Sequence, residues 1–259
     1  TKGSQRLVIR NQTRKTRSSL TADSRPPSFR AVPLPWLEKA LAELGRDQLL
    51  RDPKTLSTGP GPVATIEGRE VLLFCSNDYL GLANHPAIRR AARDAIERFG
   101  FGSAASRLVS GSGMLHREVE ARLADWVGAE KALFFPTGFM ANVAVMSTLA
   151  GPNDVIFSDA LNHASIVQGC RLSRAKAVVY PHNDLEVLEE RLQSIPDAFN
   201  GRRIIVSDAV FSVDGDSAPV VGLRELSLRY DAALIVDEAH AIGVIGTGGR
   251  GICHEAGFL

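Results

Sequence analysis

Short apolar runs alternate with amphipathic stretches from Ala132 to the end of this 259-residue chain. Each run has the length of a buried strand, and each amphipathic stretch repeats its apolar residues with the period of a helix. Alternation of this kind builds parallel strands that are joined by crossover helices. We therefore predict an α/β fold in three layers, with a mostly parallel sheet between two layers of helices.

The elements predicted from this pattern fall in chain order. The predicted strands cover residues 71–74, 132–135, 155–157, 177–180, 203–206 and 232–236. The predicted helices cover about residues 36–50, 86–99, 115–126, 139–149, 164–173, 185–193 and 223–230. Pro86 opens the second of these helices, while Gly100 and Gly128 end the second and third.

The first thirty residues differ in charge from the rest. Residues 1–30 carry eight Lys or Arg and one acid, so the remaining chain carries 22 basic and 28 acidic residues. A basic, Arg- and Ser-rich segment without apolar periodicity cannot bury enough surface to fold alone. We predict a disordered or spurious basic leader over 1–30, with an organellar transit peptide as the alternative. A helix and strand segment over 31–75 and a large domain over 76–259 would follow.

Composition excludes several classes of protein. The part after residue 30 has an acidic excess, which argues against nucleic-acid binding. Cys75, Cys170 and Cys253 are far apart and have no metal-ligand spacing, so we expect neither a disulfide scaffold nor a metal site. No apolar run approaches the length of a membrane span. These patterns predict a cytoplasmic protein with no membrane partner.

The segment that ends in Asp237-Glu-Ala-His240 carries the clearest chemical signal. An apolar strand runs directly into Asp237, and ligands of parallel sheets bind beyond the carboxyl ends of the strands. One partner that fits this carboxylate is a protonated pyridine ring. The same four letters occur in nucleic-acid-stimulated ATPases, but those need a phosphate loop with Gly-Lys, and no lysine of this chain follows a glycine.

Three further strand ends carry candidate residues, each with a structural alternative. Gly138 and Phe139 open a helix whose free N–H groups could bind a phosphate, although a plain turn would look similar. His163 could stack on a flat aromatic ligand or simply cap the next helix. Ser212 could bind a ligand oxygen, or belong to an ordinary turn formed by Asp214-Gly215. The Gly-rich segment 100–105 follows a helix, so it is no dinucleotide fingerprint.

Together these features resemble the α-oxoamine synthases, a family of fold-type I pyridoxal-phosphate enzymes that join an amino acid to an acyl thioester. The resemblance covers about residues 36–259. Its motifs are Ser-Asn-Asp-Tyr-Leu-Gly-Leu at 76–82, Asn-His-Pro at 84–86, Ser-Arg-Leu-Val-Ser-Gly at 106–111, Val-Phe-Ser-Val-Asp-Gly-Asp at 210–216, Val-Asp-Glu-Ala-His at 236–240 and Gly-Thr-Gly-Gly-Arg-Gly at 246–251.

The resemblance implies a role for several residues. Gly138 and Phe139 would hold the cofactor phosphate, and His163 would stack on the ring. Ser212 and His240 would contact the cofactor near its 3′ oxygen, with Asp237 on the pyridine nitrogen; His163, Asp237 and His240 are the implied catalytic residues. Arg51 and Asn77 would bind substrate. Ala104 and Ala105 depart from the pattern, because the family often has a glycine there.

The resemblance also implies a reaction, and it raises one conflict. The motif combination, with His-Asn-Asp at 182–184, points to the member that condenses L-alanine with a pimeloyl thioester, carried by CoA or a carrier protein, as a homodimer. A glycine acetyltransferase is the alternative.

The family's Schiff-base lysine follows the Asp-Glu-Ala-His motif, and none of the six lysines here stands in that context. We therefore expect a large domain truncated at its C-terminus and inactive alone; a lysine-free partner subunit is the alternative.

Overall fold

The computed structural model describes residues 34–196 and 198–258. They divide into two compact units, one ending at Thr55 and the other beginning at Leu56. The predicted leader over 1–30 lies outside the described residues, and the predicted domain boundaries stay predictions. The first unit contains helix α1, Pro35–Arg46. This helix is shorter than predicted, because Gln48 takes a left-handed conformation with φ of 57° and breaks the helical run.

The second unit opens with a hairpin of β1, Val63–Ile66, and β2, Arg69–Leu72. The two strands are antiparallel, with Val63 opposite Leu72. Glu67 and Gly68 join them at positive φ, as a tight two-residue hairpin turn requires. β2 overlaps the predicted strand at 71–74 but begins and ends two residues earlier, and β1 had no counterpart in the sequence analysis.

Two helices follow the hairpin, α2 over Pro86–Phe99 and α3 over Met114–Val127. Nδ1 of His85 accepts a hydrogen bond from the backbone of Ala87 and caps α2. Gly100 and Gly128 follow the two helices at positive φ, as predicted. A short π-helical turn lies between the helices.

The central sheet has four parallel strands in the order β4-β3-β5-β6. The strands are β3 Val155–Asp159, β4 Lys176–Tyr180, β5 Arg203–Asp208 and β6 Ala232–Asp237. The helices are α4 Gly138–Leu149, α5 Ala164–Ser173, α6 Leu185–Gln193 and α7 Val220–Arg229, with a last short helix α8, Ile252–Glu255. The predicted parallel α/β architecture is confirmed. Strands β3–β6 and helices α4–α7 match their predicted positions to within three residues, whereas α8 was not predicted.

Two apolar cores cover the two faces of the sheet. Phe157 and Ile205 belong to the core beneath α6 and α7. Ile156, Ile204 and Val206 belong to the core beneath α4 and α5. Successive residues of one strand enter opposite cores because side chains alternate across a strand. Burial on both faces explains the continuous apolar runs of the sequence and confirms the three-layer prediction.

The strand predicted at residues 132–135 is wrong: these residues form no strand in the structure. A strand needs a neighbour for its backbone groups, and within the described residues this segment has none. Side chains take the place of a neighbour at Phe134. Its N–H donates to Oε1 of Glu120 over 2.9 Å, and its carbonyl accepts from Nη1 of Arg107 over 3.0 Å.

Candidate active site

Three of the four parallel strands end in an aspartate at the same edge of the sheet. Asp159 ends β3, Asp208 ends β5 and Asp237 ends β6. Asp208 and Asp237 are direct neighbours in the register of the two strands. Parallel strands bring their carboxyl ends to one edge, so the acids follow from the topology. We call this edge of β5 and β6 the carboxyl-edge site.

Asp237 is held from two sides. Oδ2 accepts a hydrogen bond of 2.6 Å from Nδ2 of Asn142, a residue of α4. Oδ1 accepts one of 2.8 Å from the backbone N–H of Ala239. The carboxylate is half-buried, and its two bonds fix its plane while each oxygen keeps a free lone pair. Asp237 can therefore accept a further hydrogen bond from a cationic N–H group.

A hydrogen-bond chain joins Asp237 to His163. Nδ2 of Asn142 also donates to Oγ of Ser165 over 2.9 Å. Oγ of Ser165 lies 2.7 Å from Nδ1 of His163, which also accepts from the Ser165 backbone. With Nδ1 as acceptor, the neutral imidazole carries its proton on Nε2. His163 caps α5 through these bonds, so the structural role considered for it is present. Its ring is exposed beside Asp237's network, and stacking on a ligand stays a prediction.

Asp208 holds the His163 segment from below. Its Oδ2 accepts a hydrogen bond of 2.7 Å from the backbone N–H of His163. Burial raises the pKa of the Asp208 carboxyl to about 6, and the Asp237 carboxylate adds to the rise against the lowering effect of the His163 N–H. The ionised carboxylate is therefore costly in this place, and the carboxyl-edge site favours a cationic ligand.

The start of α4 is the predicted anion site. Oγ1 of Thr137 accepts from the backbone of Met140 and caps the helix. Helix geometry leaves the N–H groups of Gly138 and Phe139 without an acceptor inside the helix. A Cβ added to Gly138 would meet no heavy atom within 4 Å, so the space above this turn is open. Asn142 lies one turn later, which puts the turn and Asp237 on the same side of α4.

His240 belongs to a second corner of the site. Its Nδ1 is 2.6 Å from the hydroxyl of Tyr79, and this hydroxyl lies 3.5 Å from Oδ1 of Asn77. A cavity of about 340 Å³ is lined by these three residues together with Leu82, Ala239 and Ile242. The fold therefore brings Asn77 and His240 together, although 163 residues of sequence separate them.

Glu238, the acid beside Asp237, has a structural role. Its Oε1 accepts a hydrogen bond of 2.6 Å from the backbone of Cys253. Gly251 lies so close that an added Cβ would overlap Oε2 of Glu238. Glu238 therefore holds the backbone at Cys253, directly after the glycine-rich segment 246–251, and Gly251 has no room for a side chain.

Two predicted residues are not joined to this network. Ser212 is exposed four residues after Asp208, and in the described part of the chain no hydrogen bond links its side chain to His163, Asp237 or His240. Arg51 is an exposed residue of the first unit. The roles of both stay predictions.

Four residues of the network were not predicted from the sequence: Tyr79, Asn142, Ser165 and Asp208. Asp208 had a readable signal, because it ends a strand as Asp237 does. Asn142 follows Gly138 by four residues, the spacing that puts two residues on one helix face. Ser165 and Tyr79 had no such signal. The departure at Ala104 has a backbone counterpart: its φ is 58°, a conformation that glycine adopts more easily.

The model of the family described as aminotransferase class I and II matches residues 69–254. The chain belongs to this family. The 8-amino-7-oxononanoate synthase of Geobacter sulfurreducens is 52% identical over 215 residues, which are 83% of this chain and 54% of that protein. The chain thus spans about half the length of the curated relatives that it matches. The family predicted from the motifs is confirmed.

Solved structures agree with this assignment. Serine palmitoyltransferase of Sphingomonas wittichii is 36% identical with a TM-score of 0.77, and the match covers 86% of this chain and 56% of that one. A serine palmitoyltransferase from S. paucimobilis, described with a bound PLP–myriocin aldimine, is 34% identical with a TM-score of 0.78 over the same shares of the chains. Among the described residues, no helix has the length and apolar character needed to cross a membrane.

Proposed function

We propose that this chain provides the cofactor-binding part of a pyridoxal-phosphate-dependent C-acyltransferase. The proposed reaction condenses L-alanine with a pimeloyl thioester and releases carbon dioxide and the thiol, giving 8-amino-7-oxononanoate. The observation that carries the proposal is the network at the carboxyl edge, in which Asn142 holds Asp237 beside an exposed His163. The name of the relative that is 52% identical supports the choice of reaction.

The donor set of the site fits pyridoxal phosphate. The open turn at Gly138 and Phe139 offers backbone N–H groups and a helix N-terminus to the phosphate. Asp237 offers a fixed carboxylate to the pyridinium N–H, and His163 offers an exposed aromatic face. When bound, the cofactor supplies an electron-withdrawing ring that stabilises negative charge on Cα of the amino acid.

The chain's own residues would act on this ring through charge and hydrogen bonding. Asp237 would keep the proton on the pyridine nitrogen, because an ionised carboxylate favours the charged form of a neighbouring base. Asn142 would keep Asp237 in place. Asp208 adds a second acid beneath the site, and its charge also favours a cationic ring.

The corner formed by Asn77, Tyr79 and His240 is the proposed substrate side. The Tyr79 hydroxyl orients the imidazole through Nδ1, which leaves Nε2 of His240 for a ligand oxygen. The cavity beside it is lined in part by apolar side chains such as Leu82 and Ile242, and such a lining suits an acyl chain better than a charged group. Arg51 would bind the acyl substrate by the family resemblance.

A second candidate is an α-oxoamine synthase that takes another amino acid or acyl thioester, as glycine acetyltransferase does. The observation that favours it is structural. The two serine palmitoyltransferases match the fold of this chain over 86% of its length, with TM-scores of 0.77 and 0.78. Homodimer formation, the choice of CoA or carrier protein, and a cytoplasmic location are further parts of the proposal, and they rest on the resemblance.

A direct test of the proposal is titration of the 259-residue chain with pyridoxal phosphate, followed by cofactor absorbance and fluorescence. We expect saturable binding that His163→Ala weakens by roughly tenfold, because stacking on an aromatic face contributes on the order of 1 kcal/mol. His116→Ala is the matched control, since His116 accepts a hydrogen bond from the backbone of Gly113 and, in the described residues, has none to His163, Asn142 or Asp237. Equal affinity of the two variants would contradict the stacking role.

The reaction itself is tested on the chain extended to the full length of its relatives. L-alanine, glycine and L-serine are each offered with pimeloyl-CoA, acetyl-CoA and palmitoyl-CoA, and the amino-ketone products are identified by mass spectrometry. The proposal expects the highest kcat/KM for L-alanine with pimeloyl-CoA. A preference for another pair would favour the second candidate.

The lysines of the second unit give a separate expectation for the chain alone. Lys176 begins β4, so about 13 Å of strand separates it from the carboxyl edge. Lys131 precedes the turn at Gly138 by seven residues, without the family's motif around it. Borohydride reduction of the cofactor-loaded chain, followed by peptide mapping, should therefore find no pyridoxyl-lysine at the site. A labelled Lys131 or Lys176 would overturn this expectation.

A further inference from the structure

His182 lies where three segments meet, just outside the residues assigned to the cofactor. It occupies the turn between β4 and α6. Its Nδ1 is 3.0 Å from Oδ1 of Asp159, the last residue of β3, and its Nε2 is 2.8 Å from Oδ2 of Asp216. The ring also meets Phe211 edge-on, with 4.3 Å between the ring centroids. One imidazole therefore connects the ends of two strands to the loop after β5.

Both ring nitrogens face carboxylate oxygens, and Nε2 also lies 3.2 Å from the side-chain amide nitrogen of Asn183. Donation to both carboxylates needs two N–H groups on the ring. A neutral imidazole has one N–H and one lone pair, so it would present a lone pair to one of the carboxylates. An imidazolium donates to both. Burial lowers the pKa of His182, but its hydrogen bonds to Asp159 and Asp216 outweigh burial, and the pKa is raised overall.

The loop held by His182 is the one that presents Ser212. Its two ends are tied together, because Phe211 N donates to the Asp216 carbonyl and Gly215 N donates to the Phe211 carbonyl. Phe211 is buried, whereas Ser212 is exposed. The backbone N–H of Asn183 donates to Asp159, and its side-chain amide donates to Asp216, which reinforces the same connection.

We propose that His182 is a positioning residue, whose imidazolium fixes the 211–216 loop against the ends of β3 and β4 and thereby sets the position of Ser212. The proposal rests on the proposed function, in which Ser212 contacts the cofactor. His182 itself would touch neither cofactor nor substrate. It acts only through the loop.

The proposal has a pH dependence with a definite sign. A raised pKa means that the stabilisation from His182 is fully present below the pKa of an unfolded histidine. It is lost as the pH rises through the folded-state value, since the ring then keeps one donor for two carboxylates. The charged groups that face the ring are Asp159, at the end of β3, and Asp216, in the loop.

The test is a double-mutant cycle on pyridoxal-phosphate affinity, measured by fluorescence titration of the chain between pH 6 and 9. His182→Gln should weaken binding by roughly fivefold at pH 6, which is typical for coupled residues, and the difference from wild type should shrink at pH 9. Ser212→Ala should weaken binding similarly. The double variant should be no weaker than the worse single variant, because His182 acts through Ser212. His116→Gln serves as the control and should change neither affinity nor its pH profile.

Each outcome decides a separate point. Additive effects of the two substitutions on cofactor affinity, or a loss of affinity that does not depend on pH, would overturn the positioning role. The proposed function would still stand in that case, provided that the wild-type chain binds the cofactor. A wild-type chain that binds no cofactor would contradict the proposed function, and the inference would fall with it. Asp216→Asn removes one carboxylate contact without changing the ring, so it repeats the test if His182→Gln does not fold. Normal affinity and pH profile in Asp216→Asn would also overturn the inference.

Discussion

The two edges of the central sheet use buried carboxylates in opposite ways. At the amino edge, Asp154 accepts hydrogen bonds from the backbones of Gly151 and Arg202 and from the Arg202 guanidinium. The side-chain hydrogen bond from Arg202 outweighs burial and lowers the pKa of Asp154. At the carboxyl edge, burial raises the pKa of Asp208 to about 6, with Asp237 beside it.

The difference indicates which edge is better suited to bind a ligand. The charge of Asp154 is balanced within the protein, so this acid contributes to stability and needs nothing else. Asp208 and Asp237 have amide and backbone partners but no Lys or Arg within the network described above. The charge of Asp208 costs stability because the carboxyl is buried beside Asp237, and a cationic ring would offset part of that cost. Carboxylates without a cationic partner at the carboxyl edge, and a carboxylate paired with Arg202 at the amino edge, are consistent with a binding site at the carboxyl edge.

The largest effect is expected at Asp237. Asp237→Asn can still bond to Asn142 and Ala239 after an amide rotation, but a neutral amide cannot keep a pyridine nitrogen protonated. In the chain extended to family length, turnover should fall by roughly 100-fold or more, while the melting temperature stays close to wild type. Steady-state kinetics and thermal melts measure both. Activity within a few-fold of wild type would refute the assignment.

The next effect concerns the amino edge. Asp154→Ala leaves the Gly151 and Arg202 donors without a partner, and it should lower the free energy of unfolding by about 2 kcal/mol. Because the pKa of Asp154 is lowered, its stabilisation is present above the pKa of an unfolded aspartate and is lost as the pH falls through the folded-state value. Urea unfolding at pH 7 and at pH 3 measures this difference. Cofactor affinity should not change, and a loss of affinity would break the contrast between the edges.

Asp208→Asn should raise the stability of the fold, whereas Asp154→Ala lowers it. The amide oxygen can still accept the His163 N–H, but the buried charge is removed. A raised pKa means that wild-type stability falls as the pH rises from about 4, the value of an unfolded aspartate, to about 6. The variant should therefore match wild type at pH 3 and melt a few degrees higher above pH 6. Asp94→Asn, an exposed acid on α2, should show no such trend. A lower melting temperature of Asp208→Asn at pH 7 would refute the argument.

The smallest effect is expected for Arg202→Lys. Lysine keeps the charge and the backbone N–H that bonds to Asp154, but it loses the two-pronged contact of the guanidinium. Since the Arg202 side chain is 63% exposed, solvent screens this pair and the expected loss is about 0.5 kcal/mol. Denaturant midpoints of the two proteins measure it. A loss as large as that of Asp154→Ala would mean that the guanidinium alone provides the balance at this edge.

Much of the site could be predicted because parallel strands have a direction. Once the runs at 155–157, 203–206 and 232–236 were recognised as strands, Asp237, His163 and Ser212 had to follow their carboxyl ends. Asp208 was predictable in the same way. Asn142 and Tyr79 were not, because their bonds to Asp237 and His240 join segments 95 and 161 residues apart.

The strand predicted at 132–135 failed for a related reason. Its apolar letters satisfy the pattern, but a strand exists only where a neighbour pairs with it, and the Arg107 and Glu120 side chains bond to Phe134 instead. Local periodicity indicates which residues can be buried, but it does not indicate which segment of the chain will pair with them.

The sequence by itself determined the alternation of strands and helices, the edge of the sheet at which we predict the site, and the motifs of the family. These depend on local periodicity and residue type. Only the tertiary structure decided which acids are neighbours, that burial raises the pKa of Asp208 while Arg202 lowers that of Asp154, and that His182 joins Asp159 to Asp216. Burial and charge coupling act through space, and distances through space are fixed only when the chain has folded.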